Sequence, residues 1–106
     1  MDKLFGTQVR TDVLVAAGRL GTTYVSEIAK LLDRRPLEVQ RAVASLELAG
    51  VLQTRRFGTI RTVELNRRFP EYAELVNLLL KMSERTIYAQ RWKAFRRRPR
   101  AMGKAL

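Results

Sequence analysis

The sequence predicts a mainly α-helical fold with one small β-hairpin, an α+β arrangement. Three observations carry that prediction. Apolar residues recur at helical spacing in four separate stretches. Glycine and proline fall between those stretches, where helices stop and start. One segment, residues 51–65, is instead rich in Val, Ile, Leu and Thr around a central glycine.

The first helix is read from Thr7 to Ala17, with Val9, Val13, Leu14 and Ala17 on one stripe and Arg10 and Asp12 off it. Gly18 and Gly21 are expected to bracket its end, where glycine tolerates a left-handed cap. Thr22 and Thr23 are candidate N-caps for a second, two-turn helix carrying Val25, Ile28, Ala29 and Leu32. It should stop at Asp33-Arg34-Arg35, because Pro36 disfavours helical geometry in the residue before it.

Pro36 suits the first turn of a third helix, from Pro36 to about Ala49. Val39, Val43, Leu46 and Ala49 form its expected buried stripe, and Gly50 its C-cap. Residues 51–65 then read as a hairpin turning at Arg56-Phe57-Gly58-Thr59, closed by Asn66. Pro70 should open a last helix with Tyr72, Leu75, Val76, Leu79 and Met82 at helical period. Beyond Ser83 the pattern weakens, and residues 101–106 are expected to be disordered.

At 106 residues the chain has room for one core. Its 46 % hydrophobic content is that of a globular protein. Lys and Arg total 21 against 10 acids, a net charge of +11, and a field of that sign gathers polyanions. The excess is uneven. Residues 1–83 hold 13 basic and nine acidic side chains, whereas residues 84–106 hold eight basic and one acidic. The expected organisation is a folded unit over 1–83 and a basic extension over 84–106, partly helical and then disordered.

The chain contains no Cys and no His. Thiolate zinc sites and disulfides are thereby excluded, along with the commonest general base. No metal, cofactor or membrane partner is expected. No run approaches the ~20 apolar residues of a membrane span, and no secretory leader pattern is present, so a cytoplasmic, nucleoid-associated location is expected. Ser26, Ser45 and Ser83 have no His base, and no phosphate loop or nucleophile motif appears; an enzyme is not expected.

A two-turn helix joined through three residues to a longer one is the helix-turn-helix signature, and the hairpin that follows makes it winged. The carrying residues are Tyr24-Val25-Ser26-Glu27-Ile28-Ala29-Lys30-Leu31-Leu32, then Pro36 through Leu52, then the Arg55–Arg61 wing. They resemble the ArsR-like family of prokaryotic winged-helix transcriptional regulators, across roughly residues 4–82. The resemblance implies cytoplasmic homodimers on operator DNA, paired through the first and last helices. Val9, Val13, Tyr72, Leu75, Leu79 and Met82 would lie in that pairing. Apolar surface beyond one helix face, at Leu78 and Leu80, suits a symmetric dimer or a helix wholly buried in the monomer. This chain departs from the family in lacking metal-binding Cys and His, and in having two arginines where the turn usually has glycine.

With Val39, Val43 and Leu46 inward, the third helix leaves Leu37, Glu38, Gln40, Arg41, Ala44 and Ser45 outside. Gln40 suits adenine and Arg41 guanine. Glu38 either accepts from cytosine or orients Arg41. Ser45, Arg34 and Arg35 suit phosphate, and Arg55, Arg56, Thr59 and Arg61 round the wing suit either the backbone or the minor groove. Phe57 at the wing tip either packs on the core, the favoured expectation, or touches sugar or base. In the extension, Arg96, Arg97 and Arg98 lie beside Trp92 and Phe95. They would grip DNA, stack on RNA bases or dock on a partner subunit. The function expected is sequence-selective binding of double-stranded DNA by a small dimeric regulator. The alternative is a protein-interaction or architectural module without a specific operator.

Overall fold

The computed structural model describes residues 5–85. The extension from residue 86 onward, with Arg96, Arg97, Arg98, Trp92 and Phe95, lies outside them. Among the described residues the order is α1 (Gln8–Leu20), β1 (Thr23–Tyr24), α2 (Val25–Leu32), α3 (Pro36–Leu48), β2 (Leu52–Phe57), β3 (Ile60–Leu65) and α4 (Tyr72–Ser83). Helix, helix, turn, helix and hairpin follow one another as a winged helix, an α+β fold. No helix among the described residues is long and apolar enough to cross a membrane.

α1 is the central element and touches α2, α3, α4 and β3. That position explains why Val13, Leu14, Val15, Ala16 and Ala17 are all buried, more than one helix stripe. Thr7 caps it, its hydroxyl accepting from the Arg10 N–H at 3.2 Å. Gly18 does not end the helix as expected. It lies inside α1, where an added Cβ would stand 2.8 Å from Leu79 Cβ on α4. The glycine is there for close packing between helices, and Gly21 (φ 77°) supplies the stop.

Thr22 and Thr23 do not cap α2. Thr23 and Tyr24 instead form the short strand β1, pairing antiparallel with β3 opposite Val63 and Thr62. The sheet order is β1-β3-β2. The Thr23 hydroxyl is hydrogen-bonded to the Glu27 carboxylate in the first turn of α2. α2 ends at Asp33, which adopts the left-handed conformation (φ 55°) in place of the missing glycine. The Asp33 N–H donates to Lys30 O at 3.3 Å and the Arg34 N–H to Ala29 O at 2.9 Å.

α3 buries Val39, Ala42, Val43 and Leu46. Ala49, expected in the stripe, is exposed, because the helix ends at Leu48 and Ala49 is its C-cap. Gly50 then takes φ 84°. Its N–H donates to Glu47 O at 2.9 Å and the Val51 N–H to Leu46 O at 3.0 Å, a Schellman closure that sends the chain into β2. The β2–β3 register pairs Leu52 with Leu65, Thr54 with Val63, Arg56 with Arg61 and Phe57 with Ile60. Leu52, Val63 and Leu65 face the core. Asn66 closes the hairpin, its side-chain amide donating to Gly50 O at 3.0 Å.

α4 begins at Tyr72 rather than Pro70. Leu75, Leu79 and Met82 pack inward with Val13 in one core, and Leu79 and Val13 have no exposed surface. These four residues were expected to pair two subunits and are instead interior to one chain. The physical reason is that α1 occupies that face of α4. Val9 and Tyr72 are partly buried at the core margin, and Leu78 and Leu80 remain exposed.

Candidate nucleic-acid interface

The helix-turn-helix presents the outward face of α3. Leu37, Gln40, Arg41 and Ala44 are all exposed and recur at spacings of three, one and three, so they form one stripe. Leu37 is 55 % exposed. The stripe borders a groove of about 810 Å³ whose other walls are Tyr24, Val25 and Ser26 at the start of α2, and Thr59, Ile60 and Arg61 at the start of β3. The tight turn positions α2 against α3, and the β1–β3 pairing holds Tyr24 beside the wing. The groove exists only because these three elements converge.

The arginines separate into two kinds. Arg34 is an internal bracket, 3.2 Å from the Asp12 carboxylate on α1 and 3.8 Å from Glu38 on α3. Glu38 therefore pairs with Arg34, at a four-residue spacing, and does not stand as an orienter of Arg41. Arg61 reaches back to Glu47 on α3 at 3.3 Å, and the Thr54 hydroxyl donates to the same carboxylate at 2.7 Å. Arg55 stands 3.7 Å from Glu64 on the neighbouring strand.

The guanidinium groups of Arg35, Arg41 and Arg56 have no ion pair or hydrogen bond among the described residues. Arg35 is exposed at the N-cap of α3, Arg41 on its outward stripe, and Arg56 on the wing. Arg56 lies directly opposite Arg61 in the hairpin. Like charges in that position repel, and the Glu47 carboxylate offsets this by holding Arg61. Arg56 is then left projecting as an unpaired cation. Thr59 is exposed in the turn, and Ser45 is half-buried on the flank of α3.

Phe57 does not pack on the core. It is 61 % exposed at the wing tip, opposite Ile60, which is also more than half exposed. A hairpin tip this far from α1 has no apolar neighbour layer to receive it. Tyr24, Ser26 and Ile60 line the groove without a sequence signal that marks them as functional. Alternating Thr23-Tyr24 was the available strand signal, but two residues are too few for a periodicity to register. No group of three or more Asp, Glu, His or Cys side chains able to hold a metal occurs among the described residues.

No family model matches the chain, and no curated protein matches it. Solved structures do. A single-site mutant of ZitR from Lactococcus lactis superposes with a TM-score of 0.60 at 12 % identity, over 92 % of this chain and 62 % of that one. The YusO protein from Bacillus subtilis gives 0.57 at 20 % identity, over 86 % of this chain and 59 % of its own. The chain thus spans less than two thirds of the length of these structures. At such identities the likeness establishes the shared fold.

Proposed function

We propose that the chain is a winged-helix regulator that binds double-stranded DNA with modest sequence selectivity, α3 entering the major groove and the wing following the adjacent backbone. The observation that carries this is the placement of three unpaired guanidinium groups, on the turn, the outward stripe of α3 and the wing. All three are exposed on the winged helix-turn-helix of a protein carrying +11, and Arg41 lines the groove. An unpaired arginine on a solvated face gains nothing by staying so, and each is free to neutralise a phosphate or read guanine. In this reading Gln40 and Arg41 read base edges, and Arg35, Arg56, Thr59 and Ser45 contact phosphate. The likeness to the ZitR and YusO structures supports the fold on which this reading stands. An ArsR-type affiliation rests on the sequence resemblance, without its metal-sensing residues.

A homodimer belongs to the proposal. Two recognition helices about one DNA turn apart read a palindrome. What supports it is the exposed Leu78 and Leu80 on α4, apolar surface that α1 leaves uncovered. The role is a binding one, needing no cofactor, metal or membrane.

Selection of bound duplexes from a random pool, with the half-site spacing measured, tests the reading. Enrichment of a two-fold repeated site supports it. No enrichment would turn the assignment to the second reading, a protein-docking or architectural role, which the exposed Tyr24, Leu37 and Ile60 favour.

A further inference from the structure

We infer that the apolar members of the α3 stripe, Leu37 and Ala44, recognise the 5-methyl groups of thymine, so that the protein selects sites rich in A·T pairs. The inference rests on the duplex-DNA reading above and names the base it selects.

The stripe has a composition that phosphate contact alone does not explain. Phosphate oxygens are bound by Arg, Lys, Ser, Thr and backbone N–H groups. Leu37 and Ile60 can make none of those bonds, yet both are more than half exposed on the walls of the groove. Exposed leucine at the first turn of a helix could be replaced by any good helix former without loss to the fold. Its place on the groove wall beside Gln40 and Arg41, unlike that of the more exposed Leu48, offers an apolar contact to whatever those two side chains meet.

On the major-groove floor the apolar feature is the thymine methyl group. The spacing agrees. Leu37 and Ala44 lie on either side of Gln40 along one helix face, and a helical turn advances about 5.4 Å. Base pairs rise by about 3.4 Å, so neighbours on the stripe meet pairs about one or two steps apart. Gln40 has the amide that pairs with adenine N6 and N7. A glutamine on adenine with a leucine one turn away on a thymine methyl reads A·T at two nearby pairs. Charge favours a nucleic acid over an apolar protein segment as the occupant. Arg41 lines the groove, and its guanidinium has no partner among the described residues.

The test uses the full chain and a duplex enriched from a random pool, synthesised once with thymine and once with uracil at every such position. Uracil pairs identically and lacks only the methyl. The uracil duplex should bind about four-fold more weakly for each methyl buried. In Leu37→Ala that difference should shrink. In Leu48→Ala, altered at an exposed residue that does not line the groove, it should persist. Circular dichroism of both variants should match the parent, since both side chains are exposed. Equal affinity for the two duplexes overturns the inference while leaving the duplex-DNA reading intact. An undiminished difference in Leu37→Ala removes the stripe as the reader. Failure to enrich any sequence overturns both readings.

Discussion

The Arg34 guanidinium stands 3.2 Å from the Asp12 carboxylate, tying the turn of the helix-turn-helix to the middle of α1. With Glu38 at 3.8 Å on its other side, the arginine spans three elements. The Gln8 amide donates to the other Asp12 oxygen at 2.8 Å. The adjacent Arg35 makes no such bond and faces solvent. Two neighbouring arginines of the same type thus have different work: one fixes the geometry of the turn, the other is available to a ligand.

That division predicts opposite phenotypes. Arg34→Ala removes the hydrogen bond that ties the turn to the largely covered Asp12 carboxylate, together with the ion pair to Glu38, and should cost about 1–2 kcal/mol of stability. Arg35→Ala should leave the urea midpoint within about 0.5 kcal/mol of the parent and weaken duplex binding instead. A stability loss at Arg35 equal to that at Arg34 would refute the distinction.

Arg41 and Arg56 should differ in selectivity. Arg41→Ala should weaken the preferred site by about 1–3 kcal/mol and random DNA by less. Arg56→Ala should weaken both alike and lower the slope of log affinity against log salt by about one. Fluorescence anisotropy at several salt concentrations measures both. Equal losses on preferred and random DNA for Arg41→Ala would contradict base reading.

Gly18→Ala tests the α1–α4 approach. An alanine ordinarily gains about 1 kcal/mol over glycine inside a helix. Here the new methyl meets Leu79 Cβ, an atom that cannot move without its backbone. Overpacking of about 1–3 kcal/mol should outweigh the gain, and the variant should unfold at lower urea concentration. A stabilised variant would show that α4 shifts freely on α1.

Asp33 tests the turn itself. Its left-handed backbone suits glycine, so Asp33→Gly should be neutral or slightly stabilising. Asp33→Val places a β-branched residue there and should cost about 1–2 kcal/mol. Thermal melts of the two variants should move apart, and coincident melts would deny the strain.

Removing residues 91–106 should flatten the salt dependence of DNA affinity, because that segment carries seven basic side chains and no acidic one. An unchanged slope assigns the extension to protein contacts.

The sequence by itself determined the order of the four helices and the hairpin, the tight turn before Pro36, the wing and the outward placement of Gln40 and Arg41. All four follow from local rules: periodicity of apolar residues, the backbone limits of proline and glycine, and the geometry of one helix. Tertiary structure decided three further matters. It put Gly18 inside α1 against Leu79, and it turned Val13, Leu75, Leu79 and Met82 into the interior of one chain. It also tied Arg34, Arg55 and Arg61 to Asp12, Glu38, Glu47 and Glu64 and left Arg35, Arg41 and Arg56 without such a partner among the described residues. The reason is common to all three. Periodicity tells which face of an element is apolar, or which residue is charged. It does not tell which neighbour arrives to cover that face or to pair that charge, because the partner comes from a distant part of the chain.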